Sequence, residues 1–240
     1  MEFIEKKDYE QVSDLAAEIF IEEIKKNPQI ILGLATGSTP LGLYKRLIKS
    51  YQNGEISFAE VQSFNLDEYQ GLAPDHPGSY SYYMENNFFS HINIKRENAR
   101  IPCGLKSDCG DLRRPYDQLI EKLGGIDLLL LGVGENGHIA FNEPATELLV
   151  DTHVVNLTPE TINVNSRFFN NINEMPTQAV TMGMGSIMRA RKIVLLITGA
   201  KKKPVVDRLL NERTVTTEFP VSFMHVHPDV TVIYDEAARK

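Results

Sequence analysis

Residues 132 to 144, GVGENGHIAFNEP, set Asn136, His138 and Glu143 in one short turn directly after the apolar run IDLLLL of residues 126–131. An imidazole with a carboxylate partner transfers protons near neutral pH, which makes His138 and Glu143 a candidate acid–base pair. A structural histidine hydrogen-bonded to Glu143 fits the same spacing. Gly132, Gly134 and Gly137 also match the G-x-G-x-x-G pattern of a dinucleotide loop. Such a loop needs its third glycine to lead into a helix of the first strand-helix unit, with an acidic residue at the tip of the next strand. Here Pro144 interrupts, no clean strand with an acidic tip follows, and the unit lies mid-chain, so the nucleotide reading is rejected. The glycines serve a tight backbone turn instead.

Three other stretches carry chemistry. Asp67 and Glu68, in FNLDEY of residues 64–69, place two carboxylates at the end of an apolar run. One held beside a sugar or carbonyl substrate is a suitable general base, although such pairs are also common as solvated loop residues or helix caps. The stretch Ala35-Thr36-Gly37-Ser38-Thr39-Pro40 reads as a strand-to-helix turn with Thr39 at the N-cap and Pro40 at the first helical position. Its amides and hydroxyls could cradle an anion at a helix N-terminus, and a plain capped turn is the alternative. It lacks the G-K-[ST] element of a triphosphate loop. Gly199-Ala200-Lys201-Lys202-Lys203-Pro204 puts three lysines in the first turn of a helix, where they oppose the dipole unless an anion is bound or the turn is simply solvated. His225 and His227 could present two imidazoles on one strand face, but no third ligand is visible and no metal is expected.

The elements that position these loops follow from periodicity. Val12, Leu15, Ala16, Ile19, Phe20 and Ile24 fall at helical spacing; Leu43, Tyr44, Leu47, Ile48 and Tyr51 form a second stripe. Helices are also expected near 79–89 and 111–124. Near-continuous apolar strands are expected at QIILGLA (29–35), VQSFNL (61–66), IDLLLL (126–131), 178–182, 192–198 and 229–234. This alternation implies an α/β fold, a doubly wound, Rossmann-like parallel sheet covered on both faces by helices, with ligands at the carboxyl ends of the strands. Residues 145–177 are too polar for core and too long for a simple connection, and are expected to form a lid over a single domain spanning 1–240.

The 240 residues are 42% hydrophobic, with a net charge of -7 and no Lys/Arg-rich block, which argues against nucleic acid or an anionic membrane as partner. No apolar run approaches the roughly 20 residues of a membrane span, and MEFIEKKDYEQ is too polar for a secretory signal, so a cytoplasmic protein is expected. Cys103 and Cys109 lack C-x-x-C spacing and are expected to be reduced thiols.

LATGSTP, FNLDEY, SYSYYMENNFF, GVGENGHIAFNEP, NSRFF and TGAKK occur in this order, and together they resemble the glucosamine-6-phosphate deaminase family over essentially the whole chain. The resemblance implies conversion of D-glucosamine 6-phosphate and water to D-fructose 6-phosphate and ammonia in amino-sugar catabolism, on a modified doubly wound fold with no metal or organic cofactor. It implies that Asp67 moves a proton from C2 to C1, that His138, oriented by Glu143, opens the pyranose ring, and that Asn136 stands at a third ring-opening position. It assigns the phosphate to Thr36, Gly37, Ser38 and Thr39, with Arg167 and Lys202. Many members carry aspartate at position 136; asparagine there cannot be the ionised partner of His138, which leaves that part to Glu143. A 6-phosphogluconolactonase-like hydrolase and a catalytically silent sugar-phosphate sensor are the alternatives. Effector-activated members are hexamers with a longer C-terminal segment and basic residues after the FNEP loop. This chain stops at DEAARK and has His153 and Val155 where cations would stand, so hyperbolic kinetics and a monomer or small homo-oligomer are expected.

Overall fold

A computed structural model of the chain describes residues 1–105, 113–159, 161–162, 169 and 175–240. The apolar runs become the centre of a seven-stranded, wholly parallel sheet of order β1-β10-β9-β6-β2-β3-β5. Its strands are β1 (Glu2–Lys6), β2 (Ile31–Leu34), β3 (Gln62–Asn65), β5 (Ala99–Arg100), β6 (Leu128–Leu131), β9 (Lys192–Ile197) and β10 (Val230–Asp235). β2 and β6 are buried throughout, as continuous apolar strands covered on both faces must be. The flanking helices are α1 (Tyr9–Lys26), α2 (Leu41–Gln52), α3 (Tyr80–Asn87), α4 (Arg113–Lys122), α5 (Met184–Met188) and α6 (Lys203–Asn211). The doubly wound α/β sheet inferred from the sequence is therefore present. From β2 the chain runs outward to β3 and β5, then returns through β6 on the other side. The β2/β6 boundary is thus the switch point where two loops diverge and leave a crevice.

The stripes foreseen for the first two helices face the core: Val12, Ala16, Phe20 and Ile24 of α1 and Leu43, Tyr44 and Leu47 of α2 are buried. Asp8 caps α1 by accepting from the Gln11 amide at 2.9 Å. α2 departs from the expected cap. It starts at Leu41 with Pro40 at the N-cap position and no side-chain cap bond, because Thr39 precedes the turn by one residue more than the sequence signal suggests.

A second sheet, of order β4-β8-β7, was not foreseen: β4 (Asp67–Tyr69), β8 (Gln178–Thr181) and β7 (His153–Asn156) pair antiparallel. The run at 178–182 therefore belongs here and not in the parallel sheet. Asp67 is likewise not the tip of β3 but the first residue of β4, after Leu66 breaks the strand. β7 falls within the stretch expected as a lid, of which residues 160, 163–168 and 170–174 lie outside the described part. Tyr69, Phe141, Leu157, Met175 and Ala179 form a small apolar cluster against this sheet, separate from the main core.

Two further expectations are corrected. His225 lies in the 3-10 turn Pro220–Val226, with His227 just beyond it, so the pair does not share a strand face. The imidazole of buried His227 is occupied on both sides, by the Ala190 carbonyl at 2.7 Å and the Asp229 amide at 3.1 Å. Cys103 is disulfide-bonded; the other cysteine of the sequence, Cys109, lies outside the described residues. The expectation of two reduced thiols is therefore overturned at Cys103, and the cysteines give no argument for a reducing compartment.

Candidate active site

A cavity of about 390 Å³ opens at the carboxyl ends of the strands beside the β2/β6 switch point. The loops after β2, β3, β6 and β9 all reach it, contributing Thr36 to Thr39, Asp67, the turn from Gly132 to Glu143, and Lys202. Nine of the ten residues foreseen for the site thus line one cavity. The tenth, Arg167, lies outside the described residues.

The loop after β6 builds a hydrogen-bonded triad. The Asn136 amide accepts from the His138 backbone N–H at 3.1 Å and stands 2.8 Å from His138 Nδ1 through Oδ1, while its Nδ2 donates to Glu143 Oε2 at 2.8 Å. Glu143 Oε2 is itself 3.2 Å from Nδ1. Both neighbours of Nδ1 are acceptors, so Nδ1 carries the proton and Nε2 is the nitrogen left for chemistry. The resemblance left the ionised partnership with His138 to Glu143; Asn136 Oδ1 is the nearer acceptor and ties the two other members together. Gly134 makes room for this. A Cβ there would lie 2.1–2.5 Å from three atoms of the imidazole, so any side chain would push the ring out of place. Burial favours protonation of the Glu143 carboxyl, but the hydrogen bond and charge of His138, with hydrogen bonds from Asn136 and from Thr161 Oγ1 at 2.8 Å, outweigh it and hold Glu143 down at about 2.

The two carboxylates of β4 are separated by the strand's alternation and have different surroundings. Glu68 is 2% exposed and accepts four hydrogen bonds, all at 2.8 Å: from the amides of Tyr69 and Tyr80 on Oε1, and from the amide and hydroxyl of Ser81 on Oε2. It closes the N-terminus of α3, the helix-cap alternative left open by the sequence, and has no capacity left to act as a base. Asp67 lines the cavity, is 7% exposed, and its carboxylate accepts no hydrogen bond among the described residues. Burial, and secondarily the nearby charge of Glu68, push its pKa up to about 8. A carboxylate desolvated to this extent is a strong base for its type.

Lys202 also lines the cavity. Its pKa is depressed by burial and by Lys201, against the opposing pull of Glu135. Lys201 makes the direct contact with Glu135, at 3.6 Å. The amides of Thr36, Gly37, Ser38 and Thr39 have no hydrogen-bond partner among the described residues. A half-buried cation and a row of amides without partners lining one cavity suit a multiply charged anion such as a phosphate.

Some of the cavity wall escaped the sequence reading. Tyr80 is half-buried, donates to the Tyr69 hydroxyl at 3.4 Å and stacks on Phe141 at 6.2 Å and 10°. Thr161 is the third partner of Glu143. The tyrosine-rich SYSYY segment was the available signal for the first; nothing in the local pattern around Thr161 marks it.

Residues 5–233 match the family described as glucosamine-6-phosphate isomerases/6-phosphogluconolactonase. A glucosamine-6-phosphate deaminase of Thermoanaerobacter pseudethanolicus is 54% identical over 230 residues, 96% of this chain and 90% of that protein. A solved structure described as a monomeric glucosamine-6-phosphate deaminase superposes with a TM-score of 0.94 at 44% identity, covering 99% of this chain and 98% of the other. A 6-phosphogluconolactonase from Trypanosoma brucei gives a TM-score of 0.77 at 20% identity over 99% and 97% of the two chains, a likeness of fold alone.

Proposed function

Because the chain belongs to the family of glucosamine-6-phosphate isomerases and 6-phosphogluconolactonases, we propose that it is a deaminase converting D-glucosamine 6-phosphate and water to D-fructose 6-phosphate and ammonia. One observation carries this reading: two cavity carboxylates in opposite surroundings, Asp67 buried with no hydrogen bond to it among the described residues and Glu143 held by His138, Asn136 and Thr161. Pairs of titratable groups with diverging environments mark division of acid–base labour.

The phosphate is held by the Thr36–Thr39 amides and hydroxyls and by Lys202, with Arg167 as a second cation. His138 Nε2 takes the proton of the anomeric hydroxyl and returns it to the ring oxygen, opening the pyranose to the aldehyde. Glu143 and Asn136 hold the imidazole and stabilise its transient positive charge. Asp67 then removes the proton from C2 and delivers it to C1, turning the amino aldehyde into the 2-imino form. Water adds to C2 and ammonia leaves, giving the ketose. The competing hydrolysis of a lactone needs no carbon base, so a buried, unpaired Asp67 favours deamination.

We assign the catalytic unit to residues 1–240, with the stretch 145–177 as its cover, and the working form to a monomer, as the solved relative's description supports. Among the described residues no helix is long and apolar enough to cross a membrane. The cytoplasm is the assigned compartment because a sugar phosphate dianion does not cross membranes unaided and must be consumed where it is made. The test is one coupled assay that measures ammonia and fructose 6-phosphate from glucosamine 6-phosphate. Equimolar release is expected. Lactone hydrolysis without ammonia identifies a lactonase, and binding without turnover a sensor.

A further inference from the structure

Three tyrosine hydroxyls, from three different helices, converge on the backbone of the anion loop, Tyr83 from the cavity wall and Tyr9 and Tyr44 from outside the cavity lining. Tyr44 of α2 donates to the Ala35 carbonyl at 2.5 Å, Tyr83 of α3 to the Gly37 carbonyl at 2.5 Å, and Tyr9 of α1 to the Ser38 and Thr39 carbonyls, each at 3.2 Å. Tyr9 also accepts from the Gly42 amide at 2.7 Å, satisfying an N-terminal donor of α2 that no side chain caps. Its approach needs Gly42: a Cβ there would lie 2.2 Å from Ser13 Oγ and 3.0 Å from the Tyr9 hydroxyl.

In a planar trans peptide unit the C=O and the N–H point in opposite directions, and there is no cis bond among the described residues. Each carbonyl held by a hydroxyl therefore fixes the direction of the next amide: Ala35 and Ser38, held from outside the cavity lining by Tyr44 and Tyr9, turn the amides of Thr36 and Thr39 the other way, and Gly37, held by Tyr83, fixes the amide of Ser38. These amides belong to residues that line the cavity and have no partner among the described residues. We propose that Tyr9, Tyr44 and Tyr83 are positioning residues of the anion loop, holding its carbonyls back so that the phosphate amides stand aimed before any ligand arrives. The inference rests on the phosphate assignment made above and adds the residues that pre-organise it. A pre-set loop binds without first losing the freedom of several peptide units, and the same geometry keeps lone-pair-bearing oxygens away from a dianion.

Tyr9 and Tyr44 do not line the cavity, so their removal acts on the ligand only through the loop. The test measures binding of inorganic phosphate by calorimetry, together with KM, kcat and thermal stability, for the whole chain and for Tyr9→Phe, Tyr44→Phe and the double variant. Phosphate affinity should weaken about three- to tenfold per hydroxyl, the loss of one net hydrogen bond, and KM should rise in step while kcat at saturation falls less than KM rises. Lower thermal stability with unchanged phosphate affinity would reduce the hydroxyls to plain structural bonds and overturn the proposal. Should the wholly buried Tyr44 variant not fold, the partly exposed Tyr9 variant decides by the same criterion. If the unaltered chain does not bind phosphate at all, the phosphate assignment fails and the clamp fails with it; binding by the unaltered chain with unaffected variants refutes the clamp alone.

Discussion

Replacing Asp67 by asparagine should abolish turnover and yet stabilise the fold, by an amount that depends on pH. The carboxyl is 7% exposed, and its pKa rises from 3.8 to about 8 on folding. Between these values the folded chain binds one more proton than the unfolded chain, so stability is fully present below the unfolded value and is lost as pH rises towards the folded one. From 3.8 to pH 7 the interval is 3.2 pH units, and at about 1.4 kcal/mol per unit the loss reaches an upper limit of about 4 kcal/mol. Asparagine is nearly isosteric and never ionises. Asp67→Asn should therefore gain about 2 to 4 kcal/mol over the unaltered chain at pH 7 to 8, and the gain should shrink steadily as pH is lowered to 5. Urea unfolding of both proteins at pH 5, 6, 7 and 8 measures this. A difference that does not change with pH, or a less stable variant at pH 8, would refute the burial argument for Asp67. The same ionisation sets activity: kcat/KM of the unaltered enzyme should climb with pH, reach half its limit near the pKa of about 8 and level off only about a unit above it, because the base must be deprotonated in the free enzyme.

Glu68→Gln removes the charge that helps to raise Asp67 and leaves fewer acceptors for four donors; the rising limb of kcat/KM should move to lower pH and the melting temperature should fall, whereas an unmoved limb would show that Glu68 does not act on Asp67. Asn136→Ala deprives His138 Nδ1 of its nearer acceptor and Glu143 of a donor, so kcat for the cyclic sugar should drop about tenfold or more while binding of an open-chain analogue survives; equal losses for both would place Asn136 outside ring opening. Unphosphorylated glucosamine leaves the loop amides and Lys202 unpaired, and its kcat/KM should fall at least about a hundredfold; comparable values for the two sugars would remove the phosphate from this wall. N-acetylglucosamine 6-phosphate should leave velocity curves hyperbolic, since His153 is 9% exposed and bonded through Nδ1 to the Asp151 carbonyl at 2.8 Å, and Val155 packs on the small apolar cluster, so neither offers a cation to an effector phosphate. Sigmoidal curves that straighten on adding that sugar would point to an effector site elsewhere.

What the sequence determined by itself lies mostly in short windows. The stripes of α1 and α2 and the apolar runs of β2, β6, β9 and β10 carry their structure in local periodicity, and their alternation dictates a covered parallel sheet with ligands at its carboxyl ends. That Asn136, His138 and Glu143 stand together was legible because one turn of the chain holds all three, and that Thr36 to Thr39 lead into a helix because their residue types are those of a helix N-terminus. Tertiary structure decided the rest. β4 has three residues and pairs with β8 more than a hundred positions later, too few for a period and too distant for any local window. Asp67 and Glu68 are adjacent and chemically alike; which one is the base depends on strand alternation and on α3, which spends four donors on Glu68 and none on Asp67. The clamp of Tyr9, Tyr44 and Tyr83 likewise joins residues up to 74 positions apart in sequence on one five-residue loop. A side chain's type states what chemistry it can do, but its basicity and aim are set by solvent exclusion and by partners that only the folded chain brings near.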